Sequence, residues 1–271
     1  MTFALAFPTI DPVAVEIGPV AIRWYALSYV VGLVLGWQYV RYLAGRCIEG
    51  LTKRHADDLL VWGTLGVVLG GRLGYVLFYQ PGYYFSNPAE IFVIWQGGMS
   101  FHGGALGVLV VVVLYARIMK LNLLSVADAI CAQVPIGLFL GRVANFINGE
   151  LYGRVSDAPW AMVFPGGGTE PRHPSQLYEA VLEGLVLFAV LAVAVHMKRI
   201  AQRPGTVAGM FFVGYGVARI VGELFREPDA FLGFIVSGIT MGQLLSLPMI
   251  VLGLFLILRI PPVPRTGQRA E

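Results

Sequence analysis

The chain has 271 residues, 57% of them hydrophobic and 13% charged, with a mean hydropathy of +0.73. The charged share is about half of the roughly 25% usual in soluble domains, too little polar surface to keep a globule of this size in solution. An ordinary cytosolic enzyme, a disordered chain and a nucleic-acid binder are thereby excluded, and a net charge of +3 supplies no basic face for DNA or RNA.

In chain order, Met1 to Ile22 contains no Lys or Arg and carries Asp11 and Glu16. That is the reverse of the basic start of a cleavable signal peptide, so none is expected. A bilayer core about 30 Å thick takes about 20 mostly apolar residues per helix. Seven stretches qualify, at roughly 20–40, 57–78, 98–116, 126–147, 176–197, 206–225 and 239–259. Two runs are free of charge throughout, 91–116 between Glu90 and Arg117 and 230–258 between Asp229 and Arg259. The expected fold class is an all-α membrane protein, a seven-transmembrane-helix bundle forming one domain over residues 1–271. Cys47 and Cys131 are 84 positions apart, with neither a disulfide framework nor zinc-ligand spacing, so no metal or cofactor is expected.

Orientation follows from Lys and Arg placement. Arg41, Arg46, Lys53, Arg54, Arg117, Lys120, Lys198, Arg199, Arg203, Arg259, Arg265 and Arg269 fall on one side, and only Arg154, Arg172 and Arg226 on the other. This predicts an outer N-terminus and a cytoplasmic C-terminus. Glycines four apart (Gly32/Gly36, Gly66/Gly70/Gly74, Gly103/Gly107, Gly137/Gly141, Gly205/Gly209, Gly238/Gly242) predict close helix packing, where lipid removes the hydrophobic drive to associate.

Four arginines remain within or at the edge of spans: Arg23, Arg72, Arg142 and Arg219. Burying such a group in the bilayer is costly, which makes it a functional candidate; for Arg23, snorkelling at a helix end is an equal reading. Arg72 lies 14 residues beyond Asp58, and Arg219 14 beyond Gly205, each about 21 Å from the inner side at 1.5 Å per residue. With Arg142 and His102 near the outer ends of their spans, these groups predict one polar cavity open to the outer leaflet. Guanidinium forks match phosphate oxygens, and at this depth the phosphate is that of a lipid headgroup. Glu223, four residues after Arg219, either positions that arginine or titrates itself.

The densest polar run is Gly141-Arg-Val-Ala-Asn-Phe-Ile-Asn-Gly-Glu-Leu-Tyr-Gly-Arg154, in which Asn148-Gly149 marks a turn that ends the span. Met99-Ser-Phe-His-Gly-Gly104 sets His102 beside two glycines, with a side chain suited to base catalysis near neutral pH. Arg172-His-Pro-Ser-Gln-Leu-Tyr-Glu179 opens the fifth span, either binding a ligand or capping the helix. Whether the outer loop 155–170 is a lid stays open.

These three runs, with Ile22-Arg-Trp-Tyr25 and Arg219-Ile-Val-Gly-Glu-Leu-Phe-Arg-Glu-Pro-Asp229, occur in order over nearly the whole chain. Together they resemble the signature of the bacterial prolipoprotein diacylglyceryl transferases. The resemblance implies an inner-membrane enzyme that moves the diacylglyceryl group of phosphatidylglycerol to the lipobox cysteine of a prolipoprotein signal peptide, releasing glycerol phosphate. It marks Tyr25, His102, Arg142, Asn145, Glu150, Gly153, Tyr215, Arg219 and Glu223 as functional positions. On that reading His102 or Tyr25 is the base, and Arg142 and Arg219 hold the phosphate. Asn145, Glu150 and Glu223 orient the arginines and the glycerol hydroxyl. A phospholipid transporter or lipid-binding channel with an arginine-lined headgroup site is the alternative, disfavoured because the inner halves of the spans lack ionisable groups.

Overall fold

The computed structural model describes residues 5–228, 235 and 238–259; Asp229, Arg265 and Arg269 lie outside them, as do residues 1–4. Helices occupy each of the seven predicted stretches: α1 Trp24–Leu43, α2 Lys53–Phe78, α3 Phe101–Ile118, α4 Leu123–Ile147, α5 Ser175–His196, α6 Thr206–Glu223 and α7 Met241–Arg259. Among the described residues, five are long and apolar enough to cross a membrane: α2, α3, α4, α5 and α7 as far as Leu258. α1 and α6 miss that measure because Trp, Tyr and Gln dilute the first, and Arg219 and Glu223 the second. Large apolar side chains such as Val251, Phe255 and Leu258 stand exposed on α7, the inverse of a soluble surface.

The chain divides into two compact units, Arg41–Ala127 and Met1–Val40 with Asp128–Glu271. In the first, α2 packs on α3 along the predicted glycines. A Cβ at Gly74 would stand 2.7 Å from Gly103 Cα, and one at Gly66 2.9 Å from the Gly107 carbonyl oxygen, so only glycine permits this approach. Thr52 caps α2 by accepting from His55 N (3.3 Å), and His55 Nδ1 accepts from Thr52 N (3.2 Å), a capping box with histidine in the usual place of Glu or Gln. Ser100 Oγ caps α3 by accepting from Gly103 N at 3.1 Å.

Arg72, expected to face a phosphate cavity, does something else. Its Nε donates to Ile91 O (2.8 Å), Nη1 to Gly97 O (2.6 Å) and Gly98 O (3.1 Å), and Nη2 to Glu90 O (2.6 Å) and Val93 O (3.2 Å). Those five bonds match the donor capacity of a guanidinium. The group also lies over the Tyr84 ring at 5.0 Å. Arg72 is thus a tie that ends the α2–α3 connection in a fixed shape, and no donor is left for a phosphate.

In the second unit, an antiparallel hairpin of Val13–Ile17 and Val20–Arg23 leads into α1. Gly32 of α1 meets Gly137 of α4, where a Cβ on Gly32 would lie 3.4 Å from Gly137 Cα, whereas a Cβ on Gly137 or Gly141 would meet open space. α6 and α7 touch at Gly209 and Gly253, each 2.8 Å or less from the other's carbonyl oxygen once given a Cβ. The α6 N-terminus, which begins after Gly205 in a left-handed conformation (φ +88°), is capped by Asp128 of α4. Its carboxylate accepts from Gly205 N and Ala208 N, both at 2.7 Å.

Candidate active site

The segment after α4 is built by its own turns. The helix ends at Ile147, and Gly149 takes φ +67°, the turn that Asn148-Gly149 predicts. Leu151 follows at φ +58°, rare for a non-glycine residue. Asn145 Nδ2 donates to Glu150 Oε1 at 2.8 Å and Asn148 Nδ2 to the same oxygen at 3.2 Å. Gln176, fully buried at the start of α5, donates to the Glu150 carbonyl at 2.6 Å. Gly153 is a junction of three backbones: its N–H donates to His173 O (2.8 Å), and a Cβ there would stand 2.5 Å from Phe225 O. The loop 155–170 is fastened to this frame, with Arg172 Nε on Gly167 O (2.8 Å), Tyr152 Oη on Gly166 O (2.6 Å) and Met162 in mutual backbone bonds with Arg172.

Around this frame four arginines and three glutamates converge. Arg142 on α4 donates from Nε and Nη2 to Glu183 Oε2 (3.2 and 3.1 Å), and its Nη1 lies 2.9 Å from Glu179 Oε2. Arg219 on α6 donates from Nη1 to Glu179 Oε1 at 2.9 Å and pairs through Nη2 with Glu223, one turn on. Arg226 Nη1 reaches Glu179 Oε1 at 3.5 Å. Arg154 donates to the carbonyls of Glu223 (3.1 Å) and Arg226 (3.0 Å). Tyr215, one turn before Arg219 on α6, lies within electrostatic reach of Arg142, Glu183 and Arg219. The side chains of Glu179 and Glu183 are fully buried, while those of Arg142 and Arg219 keep 15% exposure, so what the cluster exposes is arginine side chain and not these two carboxylates.

The local backbone serves this cluster. α5 widens from α-helix to π-helix over Ala180–Val186, immediately after Glu179 and across Glu183. Such turns are frequent at functional sites. Gly184 lets α4 approach there, a Cβ standing 2.6 Å from Phe139 Cβ. Gly222 makes room for Glu179, whose Cγ would lie 3.2 Å from a Cβ, and Gly242 of α7 backs the Arg219–Glu223 pair. Removing ion pairs from water costs more than most recover, so a buried network of this size is poor evidence of a stabilising device and better evidence of a site. Each carboxylate faces arginine, and among the described residues no three His, Cys, Asp or Glu side chains gather as metal ligands would.

Of the predicted residues, the structure brings Arg142, Tyr215, Arg219 and Glu223 together directly. Asn145 and Glu150 adjoin them as a bonded pair, and Gly153 joins the backbones that carry Phe225 and His173. Tyr25, the second residue of α1, has its hydroxyl 3.4 Å from that of Tyr29. His102 belongs to the other unit, exposed in the first turn of α3 with its ring edge-on to Phe101 at 5.7 Å. Glu179, Glu183 and Arg226 were not among the predicted site residues. The available signal was the spacing of Glu179 and Glu183, two carboxylates one turn apart inside an otherwise apolar span.

Fold and site together define a multi-pass helical membrane protein with a buried arginine–carboxylate cluster. The family profile described as prolipoprotein diacylglyceryl transferase matches residues 12–259. The chain is 62% identical over 258 residues (95% of this chain, 96% of the other) to the phosphatidylglycerol–prolipoprotein diacylglyceryl transferase of Paramagnetospirillum magneticum. It is 55% identical over 274 residues (99% and 100%) to the enzyme of that name from Rhodospirillum rubrum, and 51% over 258 residues (95% and 100%) to that from Rickettsia rickettsii. The chain belongs to the prolipoprotein diacylglyceryl transferase family.

Proposed function

We propose that this chain transfers the diacylglyceryl group of phosphatidylglycerol to the thiol of the lipobox cysteine of prolipoproteins, the first step of bacterial lipoprotein maturation. The observation that carries the reading is the Arg142–Arg219 pair, held together by one shared carboxylate, Glu179, in a chain of this family. The thiol loses its proton, the sulfur attacks the glyceryl carbon that bears the phosphate, and the C–O bond breaks with its electrons leaving on the phosphate oxygen as glycerol phosphate. A thiolate is the reacting form, so a base is needed, and we assign that role to His102 or Tyr25. Arg142 and Arg219 hold the phosphate and stabilise the charge that grows on it. Asn145, Glu150, Gly153, Tyr215 and Glu223 shape and orient that site. Phosphate is a fair leaving group, and no metal or cofactor has a part in this reading.

We assign α1 and α6 to the membrane as well, giving seven spans in a single catalytic domain over 1–271. The Lys and Arg distribution supports an outer N-terminus and a cytoplasmic C-terminus. On this reading the protein lies in the bacterial inner membrane with its site towards the periplasmic leaflet, where a lipobox emerges. Purified protein given phosphatidylglycerol and a lipobox peptide decides the matter. Release of glycerol phosphate that depends on the peptide thiol is expected. Lipid flux across vesicles without such release would instead establish the transporter reading.

A further inference from the structure

Glu179 and Glu183 present a puzzle that rests on the reaction proposed above. A site for an anion gains from cations, yet this one holds three carboxylates, Glu179, Glu183 and Glu223, ion-paired with three guanidiniums, Arg142, Arg219 and Arg226. Glu223 lies on the same helix as Arg219 and steadies it locally. The other two, Glu179 just before the π-helical turn of α5 and Glu183 within it, reach across to α4 and α6. Glu179 is shared by all three arginines, one carboxylate oxygen facing Arg142 and the other Arg219 and Arg226. Glu183 takes the Nε–Nη2 edge of Arg142 and lies 3.8 Å from Arg219.

The chemistry of the reaction gives these carboxylates a purpose. The substrate is a phosphodiester with one negative charge. The product is a phosphate monoester, carrying about −1.5 to −2 at neutral pH. Guanidiniums without counter-charge would bind the product more tightly than the substrate, and product release limits many enzymes. Carboxylates behind the guanidiniums leave the N–H donors aimed at phosphate oxygens but cancel the net charge that would hold a dianion.

We infer that Glu179 and Glu183 are positioning and charge-balancing residues: they fix Arg142 and Arg219 as one phosphate-binding unit and keep it neutral, so that it favours the singly charged phosphodiester over the doubly charged phosphate monoester. Neither carboxylate contacts the reacting atoms; both act through the arginines. The inference also fits their full burial beside arginines whose side chains stay partly exposed.

The test compares two inhibitors of transfer at pH 8 on the full-length purified protein: glycerophosphoglycerol, the acyl-free diester, and glycerol phosphate. In the unaltered protein the diester inhibits more strongly. In Glu179→Gln and Glu183→Gln, which remove charge but keep shape, inhibition by glycerol phosphate strengthens relative to the diester by about tenfold or more, as a unit of uncompensated charge nearby implies. kcat falls in both, and KM for phosphatidylglycerol does not rise. Glu179→Asp keeps the charge but shortens the reach, so it lowers kcat and leaves the inhibitor ratio at its original value. An unchanged ratio in the Gln variants, or tighter inhibition of the unaltered protein by the monoester, overturns the inference. The second measurement stands even where a Gln variant fails to fold. A protein that transfers nothing from phosphatidylglycerol to a lipobox peptide would instead defeat the reaction itself.

Discussion

Arg72 and the Arg142–Arg219 pair are arginines of the same kind by sequence, each inside a helix of an apolar chain. The unit of 41–127 satisfies Arg72 with five backbone carbonyls and an aromatic face. The other unit satisfies Arg142 and Arg219 with side-chain carboxylates on a neighbouring helix. Carbonyls consume the donors and fix a loop; carboxylates orient the fork of a side chain that stays partly exposed. The difference shows that the depth of a cation is not enough to assign its role. What decides is whether its partners saturate it or aim it.

Three substitutions press on that contrast. Arg142→Ala has the larger effect on chemistry: transfer falls by about 10²–10³-fold or more, as when a charge-stabilising donor is removed. The protein stays folded, because Arg219 and Arg226 still pair Glu179. Turnover measured beside helix content checks this, and near-normal turnover would remove Arg142 from the phosphate site. Arg72→Met acts on stability instead. It strands five carbonyls and costs about 3 kcal/mol or more. Protease cleavage within 87–100 and a lowered Tm are expected, while the fraction that remains folded keeps its KM. Arg72→Lys fares little better, since an ammonium cannot reproduce the planar fork. Loss of transfer in Arg72→Lys with an intact loop would erase the contrast.

The sequence carried the helices and part of the arginine–carboxylate cluster, and particular residues show where it stopped. The α2–α3 crossing was legible because Gly66, Gly70, Gly74, Gly103 and Gly107 write it as a spacing, but the Gly137/Gly141 pair looked the same and a Cβ at either would meet open space. Arg142, Arg219 and Glu223 stood out because charge is scarce in the spans. Arg72 stood out for the same reason and was misplaced, since its partners are carbonyls, which no side-chain pattern reports. Glu179 read as the end of a segment that either binds a ligand or caps the helix, and Arg226 as an outer-loop charge. Their pairing depends on the rotation of α5 against α6, and a π-helical turn alters that rotation without a mark in the residue pattern.

His173 extends the comparison to a group with neither kind of partner. It precedes α5, its Nδ1 lies 3.1 Å from Tyr178 Oη, and its ring meets Tyr178 and Phe225 edge-on. With no carbonyl cage and no carboxylate among these contacts, burial holds its pKa below the ordinary 6.5, so at neutral pH the ring is uncharged. Because the folded value is depressed, an unfolded chain takes up the proton first as pH falls. The stability contributed by a neutral His173 is therefore complete above about pH 6.5 and is lost as pH drops through the lower folded value. His173→Phe removes that titration but keeps the ring contacts. The unaltered protein should lose more thermal stability than the variant between pH 7 and pH 5, by a small margin because the ring is only partly buried. Parallel stability curves would mean that the charged ring finds a partner after all, placing His173 with the aimed cations around Arg142.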